Sequence, residues 1–483
     1  MTVSVLSVAS EAVPLIKTGG LADVVGALPS AVAPHGIAMT TLLPAYPAVL
    51  AAAGKSKLAH RWDSLLGAPA RLLSGSIDGH ALLLLDAPSL FARDGGPYSG
   101  PDGKDWADNW LRYAALARAA ADLASGAVKG RAYDVLHAHD WQAALAPAFL
   151  HFAPGPGRAA RSIVTIHNIA FQGHYGADVF PGLGLPRVAW GIDGVEYHGG
   201  VGYLTAGMAT ADAITTVSPS YAAEIATAEF GMGLEGLVRA RLGVVTGIVN
   251  GIDPAVWNPA SDADLASNFT ARSVSKRNIN KRAIEAAFGL EAGAGPLFIV
   301  VSRLTWQKGM DLLLDVADHL VGLGARLAVL GTGDAALEAG FRHAADRHPG
   351  RIGVRIGYDE ALSHLMQGGG DAILIPSRFE PCGLTQLYGL AYGCVPVVAR
   401  TGGLADTVID ANVAGVAAGV ATGVQHGPGS DALRHAITRA VALFADPATW
   451  RGMQQRGMAA DFSWGRSGKA YADLYAHLVE RAA

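Results

Sequence analysis

The 483-residue chain contains only two cysteines, Cys382 and Cys394, and only 16% of its residues are charged. Two cysteines cannot form the disulfide framework of a secreted protein, and their spacing does not match a metal site. The formal net charge of -4 provides no broad basic surface for nucleic acid or for an anionic membrane. Any anionic ligand must therefore be held by a local group of Lys, Arg and backbone N–H groups.

The sequence also lacks long hydrophobic runs: no apolar stretch approaches the roughly 20 residues that a membrane-spanning helix requires. The first residues, MTVSVLSVASEAVPLIKTGG, contain no basic side chain before Lys17, which favours a first β-strand over a signal peptide. Together with the few cysteines, these features predict a soluble, cytoplasmic protein that binds neither nucleic acid nor a membrane.

Two common nucleotide-binding motifs are missing. No G-x-G-x-x-G follows the first predicted strand, and no P-loop sequence occurs, which disfavours a dehydrogenase, a kinase or an ATPase of those types. An Asp-x-Asp sequence, Asp262–Asp264, lies in a polar segment rather than after a strand, so we do not expect a metal-bridged diphosphate there. We therefore expect neither a metal ion nor a cofactor.

Apolar material is abundant, at 51% of the residues, and it is arranged in short runs that alternate with Ala-rich stretches of helical length, such as Trp110–Ala124 and Trp141–Phe152. This alternation is typical of a parallel α/β sheet. The first series of predicted strands is Val3–Ala9, Ile37–Leu43, Ala81–Asp86, Asp134–His139, Ile163–His167 and Ala213–Val217. After a polar segment, Asn258–Ser275, the second series is Leu297–Ser302, Arg326–Leu330, Ile352–Ile356, Ala372–Pro376 and Val395–Ala399.

These two series predict two Rossmann-like domains with a boundary near residue 245. Open α/β sheets bind ligands beyond the carboxyl ends of their strands. Two such sheets facing one another would direct both sets of loops into one central cleft, and that cleft is where we expect the chemistry.

An internal repeat supports two similar halves. The sequences KTGGLADVV (17–25) and RTGGLADTV (400–408) match at seven of nine positions. Each predicts a Gly-Gly turn that opens a helix, where free N–H groups and the helix dipole favour an anion. Glycines also permit a tight turn without any ligand. Because the turn occurs twice, each time after a basic residue, we interpret Lys17, Gly19, Gly20 and Asp23 as part of a substrate-binding turn.

The second half carries two cations on one loop after a predicted strand. The sequence SRLTWQKG places Arg303 and Lys308 there, where they could neutralise the charge that develops on a departing diphosphate. The alternative is an ordinary solvated loop. Because the two cations follow the end of a strand, we give the functional interpretation the same weight as this alternative.

The next candidate loop is SRFEPCGLTQLYGL, in which Glu380 precedes a helix predicted to start near Leu384 and Thr385. The first N–H groups of that helix could bind a phosphate oxygen, and Glu380 could reach a sugar hydroxyl. Glu380 could instead simply complement the helix dipole. We interpret Cys382, beside Gly383, as a small buried neighbour rather than a nucleophile, and we include both residues in the substrate-binding loop.

In the first half, HAHDWQ and HNIAFQG follow two predicted strands. Their polar and aromatic side chains are His137, His139, Asp140, Trp141, His167 and Asn168. The His-x-His sequence suggests zinc, but we expect the two rings to face opposite sides of the sheet, and no third ligand has suitable spacing. Asp140, His167 and Asn168 are better interpreted as hydrogen-bonding groups for a polyhydroxylated ligand, and we include Trp141 among the substrate-binding residues.

A Gly- and Asp-rich loop with three aromatic residues, YSGPDGKDWADNW, runs from Tyr98 to Trp110. Aromatic rings stack on the apolar faces of sugars while Asp and Asn bind hydroxyls, so this loop is a candidate for binding an acceptor. By composition alone, a surface loop anchored by its aromatic residues is the better interpretation.

The chain resembles the bacterial glycogen synthases and plant starch synthases over essentially its whole length. The motifs that carry the resemblance occur in the expected order: KTGGLADVVGALP, GGPYSG, DNWLRY, HAHDWQ, TIHNIAFQG, TVSPSYAAEI, EFGMGLEG, GIVNGID, SRLTWQKG, SRFEPCGLTQLYGL and RTGGLADTV. That family uses ADP-glucose and an α-1,4-glucan and adopts the GT-B fold of two Rossmann-like domains. The resemblance implies domains 1–245 and 246–457, with a last helix, 458–483, that crosses back to the first domain.

The resemblance also implies roles for individual residues. Lys17 with its Gly-Gly turn is similar to the ADP-glucose-binding lysine, and Arg303 and Lys308 are similar to the pair that stabilises the departing diphosphate. The residues implied near the transferred glucose are Glu380, Asp140, His167 and Asn250. Leu384 and Thr385 would donate N–H groups to phosphate, and Tyr358 would stack on adenine. Because each domain holds only part of the site, we expect closure upon ligand binding.

Two alternatives stay open at this stage. The chain could be a GT-B relative with another donor, such as UDP-glucose, or a 2-epimerase that acts on a nucleotide sugar. It could also be a non-catalytic glucan- or nucleotide-binding protein, although Lys17, Arg303, Lys308 and Glu380 are all present. The family retains anomeric configuration, for which we hypothesise front-face attack by the glucan 4-hydroxyl, because no carboxylate pair is placed as in glycosidases.

Overall fold

The computed structural model describes residues 2–157 and 159–481. The strands, in chain order, are β1 Val3–Val8, β2 Ile37–Pro44, β3 Lys57–Leu65, β4 Ala68–Ile77, β5 His80–Asp86, β6 Val135–His139, β7 Arg161–Ile166, β8 His174–Tyr175, β9 Glu196–Tyr197, β10 Gly200–Gly202, β11 Ala213–Thr216, β12 Val245–Gly247, β13 Leu297–Val301, β14 Arg326–Gly331, β15 Ile352–Ile356, β16 Ala372–Ile375, β17 Val395–Ala399 and β18 Val424–His426.

The α-helices, in the same order, are α1 Gly20–Val32, α2 Pro47–Ala52, α3 Pro88–Phe91, α4 Asn109–Ala124, α5 Asp140–Ala143, α6 Leu145–Phe152, α7 Tyr203–Thr210, α8 Pro219–Glu224, α9 Glu235–Ala240, α10 Arg277–Phe288, α11 Met310–Gly322, α12 Ala335–Arg347, α13 Glu360–Gly369, α14 Thr385–Tyr392, α15 Gly402–Thr407, α16 Val413–Ala417, α17 Ser430–Phe444, α18 Pro447–Ala459 and α19 Trp464–Glu480. Among the described residues, no helix has both the length and the apolar character needed to cross a membrane.

The chain forms two compact units. The first contains the residues up to Gly251 and those from Trp464 onward, and the second contains Ile252–Ser463. The sequence predicts divisions near residues 245 and 458 instead. The first division falls after Gly251 because the residues that follow β12 still bond to the sheet of the first unit. The backbone N–H of Ile248 donates to the carbonyl oxygen of Thr216 at 2.8 Å.

The first unit contains a nine-stranded sheet in the order β12-β11-β7-β6-β1-β2-β5-β4-β3. Neighbouring strands from β12 to β5 are parallel, and β4 pairs antiparallel with both β5 and β3. The order reverses beside β1, so the loops after β1 and β6 leave the sheet on either side of a topological switch point. Open α/β sheets bind ligands at such points.

The second unit contains a six-stranded parallel sheet in the order β15-β14-β13-β16-β17-β18. Its central strands are buried on both faces, which explains why Leu297–Val301 is uniformly apolar. Here the strand order reverses beside β13. The loops after β13 and β16, which carry the predicted diphosphate and sugar residues, therefore leave the sheet at its switch point.

The last helix, α19, packs within the first unit against α1. Tyr471 and Tyr475 are fully buried in a cluster that includes Val24 and Leu28 of α1. The two helices approach so closely that a Cβ at Gly468 would overlap the carbonyl oxygen of Ala31. Each buried tyrosine removes about 150–250 Å² from water, so this contact contributes substantially to the first unit.

Three local features differ from the sequence prediction. The antiparallel strands β3 and β4 carry no uniform apolar run, because β3 is largely exposed, and the sequence pattern does not reveal them. The helix predicted over Trp141–Phe152 is two helices, α5 and α6. Pro147 has no N–H to donate to Ala143, so the helical ladder is interrupted there. The last helix begins at Trp464 rather than at about Met458, which belongs to α18.

Candidate active site

In the first unit, a buried carboxylate that the sequence analysis missed organises the loop after β1. Glu11 is 2% exposed. It accepts hydrogen bonds from the backbone N–H of Thr18, from the Thr18 hydroxyl at 2.8 Å, and from the Tyr98 hydroxyl at 2.7 Å. Glu11 thereby connects the turn next to Lys17 to the Tyr98 loop. An acidic residue three positions after the end of the first strand was the signal that could have revealed it.

The first Gly-Gly turn is open. Gly19 has extended backbone at φ -159°, and a Cβ there would meet no other described atom within 4 Å. Lys17 Nζ donates to Asp23 Oδ1 at 2.8 Å on the exposed surface of the same turn. The predicted substrate-binding turn thus presents accessible backbone and a surface cation at the start of α1.

The second Gly-Gly turn is not equivalent, although its sequence is nearly the same. Gly402 has φ +44°, and a Cβ there would overlap the carbonyl oxygen of Glu380. A Cβ at Gly403 would overlap the carbonyl oxygen of Cys382. These glycines let α15 approach the backbone of the loop that carries Glu380. For the second copy, close packing explains the motif better than the anion-binding turn inferred from the repeat.

Asp140 connects the ends of β6 and β7. Its backbone has φ +54°, and its Oδ1 accepts the backbone N–H of His167 at 2.7 Å and, at 3.4 Å, that of Asn168. Burial raises the pKa of the Asp140 carboxyl to about 7, against the lowering effect of these N–H groups. The geometry supports the predicted proximity of Asp140, His167 and Asn168 within the first unit.

The expectation that the two rings of the His-x-His sequence face opposite sides of the sheet is wrong. His137 and His139 do not face opposite sides of the sheet, because residues i and i+2 of a strand share a face; their ring centroids lie 4.0 Å apart. His137 bonds the Tyr475 hydroxyl at 2.8 Å and the Thr165 hydroxyl at 2.5 Å. His139 bonds Ser7 and His167. All four ring nitrogens thus have hydrogen-bond partners in the protein.

Two predicted substrate contacts of the first unit, Trp141 and Asn250, differ in their surroundings. Trp141 is half-buried and packs against Tyr113, with ring centroids 5.0 Å apart, and Tyr203, at 6.3 Å. Asn250 is buried, and its side-chain oxygen accepts no hydrogen bond from any described residue. The Asn250 oxygen can therefore still accept a hydrogen bond. A donor from a ligand would remove the cost of leaving this buried oxygen without one.

In the second unit, Lys308 and Glu380 meet at the switch point. Lys308 Nζ donates to Glu380 Oε1 at 2.8 Å and to Oε2 at 2.6 Å, and the Ser377 hydroxyl also donates to Oε2 at 2.8 Å. The Glu380 side chain is 8% exposed and that of Lys308 is 18% exposed. The sequence predicts both residues for the site but does not predict their ion pair.

Arg303 stands on the same loop as Lys308 and is exposed. Within the described part of the chain its guanidinium has no hydrogen-bond or ion-pair partner, in contrast to Lys308. Tyr358, in the loop after β15, is 77% exposed. Both side chains are thus available to a ligand of the second unit.

The loop between Glu380 and α14 is held rigidly. Gly383 has φ +71°, and Gln386 Nε2 donates to the carbonyl oxygens of Cys382 at 3.0 Å and Gly383 at 2.8 Å. Helix α14 follows, with Leu384 at its N-cap and no side-chain cap. The start of α14 at Thr385 agrees with the sequence prediction, and Cys382 is buried as expected.

One cluster outside these loops has a composition that could bind a metal ion. Asp262, Asp264 and His364 bring ligand atoms within 4.8 Å of one another. Asp262 Oδ2 already accepts from the Tyr392 hydroxyl at 2.5 Å and lies 2.7 Å from His364 Nδ1. These bonds fasten the polar segment to α13 and α14, which is a structural role.

The fold and these loops define a class of protein: a glycosyltransferase built of two Rossmann-like units. The model "Starch synthase catalytic domain" matches residues 4–240, and the model "Glycosyl transferases group 1" matches residues 282–442. The solved catalytic domain of starch synthase IV from Arabidopsis thaliana, bound to ADP and acarbose, superimposes with a TM-score of 0.88 at 29% identity, covering 100% of both chains. Sucrose-phosphate synthase from Thermosynechococcus elongatus, at 16% identity, shares the fold with a TM-score of 0.60.

The particular family follows from the sequence relatives. The chain is 69% identical over 481 residues to the glycogen synthase of Novosphingobium aromaticivorans and 56% identical over 478 residues to that of Mesorhizobium japonicum, with 99% of each chain covered. This chain belongs to the glycogen synthase family and is a hexosyltransferase with the GT-B fold. The resemblance and the α/β fold class predicted from the sequence are confirmed.

Proposed function

We propose that this enzyme transfers glucose from ADP-glucose to the non-reducing end of an α-1,4-glucan, with retention of configuration, and releases ADP in the cytoplasm during glycogen biosynthesis. The observation that carries the proposal is the Lys308–Glu380 ion pair at the switch point of the second unit, together with the exposed Arg303 on the same loop as Lys308. A cationic loop in this position suits a departing diphosphate.

In the proposed reaction, the bond between glucose C1 and the diphosphate breaks while a bond from C1 to the glucan 4-hydroxyl oxygen forms on the same face. The hydroxyl proton passes to a phosphate oxygen of the leaving ADP. Arg303 and the remaining N–H of Lys308 stabilise the charge that develops on that diphosphate. Lys308 and Ser377 hold the Glu380 carboxylate, which in this proposal would accept a hydrogen bond from a sugar hydroxyl and would not attack C1.

The first unit contributes the other contacts in this proposal. Lys17 and the open Gly19-Gly20 turn would bind the nucleotide sugar through a cation and backbone N–H groups. Asp140, His167 and Asn250 would bind glucose hydroxyls. Tyr358 of the second unit, with its exposed ring, would stack on adenine.

Incorporation of radiolabelled glucose into glycogen tests this function. We expect polymer-bound label with ADP-glucose and far less with UDP-glucose, while Arg303→Ala, used as a matched inactive control, incorporates little from either donor. Equal use of UDP-glucose would overturn the donor assignment. Release of a free epimerised sugar without polymer label would identify a 2-epimerase, and ADP binding without turnover would identify a binding protein.

A further inference from the structure

Three polar side chains stand in a row in the first unit, on three neighbouring elements of its sheet. Ser7 Oγ of β1 lies 3.2 Å from His139 Nε2 at the end of β6. His139 Nδ1 lies 3.0 Å from His167 Nε2, just after β7. Ser7 and His139 are 0% exposed, and His167 is half-buried. The function proposed above uses His167 but assigns nothing to Ser7 or His139.

The direction of the first hydrogen bond follows from the surroundings of Ser7. Its hydroxyl has no other hydrogen-bond partner among the residues that the structure describes. If His139 Nε2–H were the donor, the buried Ser7 O–H would have no acceptor, which is costly in a protein interior. Ser7 therefore donates to His139 Nε2, and the neutral His139 ring carries its proton on Nδ1.

The second hydrogen bond then has a fixed direction as well. His139 Nδ1–H donates to His167 Nε2, which must be unprotonated to accept it. Burial lowers the pKa of His167 to about 3 and that of His139 well below its usual range, so both rings are neutral near pH 7. A neutral His167 without a proton on Nε2 carries its proton on Nδ1.

We propose that Ser7 and His139 are positioning residues that hold His167 in its Nδ1–H tautomer, so that His167 offers a hydrogen-bond donor to a hydroxyl oxygen of the transferred sugar. In the described chain the ring Nδ1 of His167 has no partner, and the neighbouring Asp140 carboxylate bonds the backbone N–H of His167. The identification of the acceptor as a sugar hydroxyl rests on the proposed function. The assignment of the His167 tautomer rests only on the hydrogen bonds of Ser7 and His139.

Substitutions at residue 139 separate this role from simple packing. An asparagine carries an amide N–H on the same carbon that bears Nδ1 in histidine, so His139→Asn keeps a donor toward His167 and no longer needs Ser7. His139→Leu removes the donor. We expect His139→Leu to lower kcat/KM about 10- to 100-fold, the loss that follows when the orienting partner of a metal-binding histidine is removed, and His139→Asn to restore most of it.

Ser7→Ala provides the decisive comparison. In the wild-type background we expect a loss in kcat/KM of about fivefold, the usual effect of one hydrogen bond, whereas in the His139→Asn background we expect no further loss. Equal losses in both backgrounds would show that Ser7 acts only through packing and would overturn the proposal.

The tautomer itself can be observed in the wild-type enzyme by long-range proton–nitrogen NMR of nitrogen-15-labelled histidines, with the His167 signals assigned by their loss in His167→Gln. We expect a protonated Nδ1 and an unprotonated Nε2 in the wild type, and a mixture in Ser7→Ala. A protonated Nε2 in the wild type would overturn the inference. If the Nδ1–H tautomer is present but no glucose is transferred, only the proposed function fails.

Discussion

The Lys308 ammonium donates to both carboxylate oxygens of Glu380, although the two residues are 72 positions apart in sequence. Their loops follow β13 and β16, which are adjacent strands on either side of the switch point. An ammonium has three N–H groups, so one remains for a phosphate oxygen. We expect Lys308 to stabilise the diphosphate and Glu380 to contact the sugar, so this ion pair connects the two parts of the donor site.

Replacing Lys308 tests that arrangement. We expect Lys308→Ala to lower kcat by a factor on the order of 10²–10³, because charge stabilisation of the leaving group is lost. We also expect a stability loss of about 3–5 kcal/mol, because Glu380 would remain buried without its counter-ion. Steady-state incorporation assays and thermal unfolding measure the two effects.

Two further variants separate the effects at this pair. Combining Lys308→Ala with Glu380→Gln removes the uncompensated buried charge, so stability should recover while turnover does not. Lys469→Ala, which removes a lysine from an exposed ion pair with Asp473, should leave both properties unchanged. Near-normal turnover in Lys308→Ala would refute its role at the diphosphate.

Arg303 gives the complementary prediction. Because Arg303 is exposed and the described structure provides it with no partner, Arg303→Ala should change the free energy of unfolding by less than about 0.5 kcal/mol. We nevertheless expect kcat to fall by a factor on the order of 10²–10³, with partial recovery in Arg303→Lys. A melting temperature that falls together with the activity would instead assign Arg303 a structural role.

The two Gly-Gly turns should respond differently to the same substitution. Gly403→Ala would drive a Cβ into the carbonyl of Cys382 and displace the Glu380 loop, so both stability and kcat should fall. Gly19→Ala introduces a methyl group into open space on extended backbone, so the melting temperature should not change. If the first turn contacts ADP-glucose, the added methyl group of Gly19→Ala should raise the KM for ADP-glucose. An unchanged KM would show that the backbone of this turn does not approach the donor closely.

Asp140 predicts a pH dependence of stability. Its folded-state pKa of about 7 lies above the ordinary value of 3.8, so the folded protein holds this proton more tightly than the unfolded chain does. The contribution of Asp140 to stability therefore decreases as the pH rises from 3.8 to about 7, by up to about 1.4 kcal/mol per pH unit. Above about pH 7 this contribution is constant.

Comparison with Asp140→Asn, which cannot ionise, isolates that contribution. The free energy of unfolding of the variant minus that of the wild type should increase from pH 5 to pH 7 and then level off. Chemical denaturation at each pH measures the difference. A difference that does not vary with pH would show that Asp140 titrates at the same pH in the folded and unfolded chains.

Much of the fold was predictable because parallel strands buried on both faces leave short apolar runs in the sequence. Predicted strands such as Leu297–Ser302 differ from the observed β13 by one residue. The exposed strand β3 has no such run, and its position is set by pairing with β4. The candidate-site residues were predicted from their positions after strand ends. Glu11 also follows a strand, but its bonds to Thr18 and Tyr98 form only in the folded chain, and it was missed.

The sequence by itself determined most of the parallel strands, the loops that carry candidate chemistry and the family. Only the tertiary structure decided which of those side chains meet. It pairs Lys308 with Glu380, directs the Ser7 and His139 hydrogen bonds toward His167, and gives two nearly identical Gly-Gly turns different surroundings. The physical reason is that these contacts depend on strand order and on close packing between segments distant in the chain, neither of which leaves a local pattern in the amino acids.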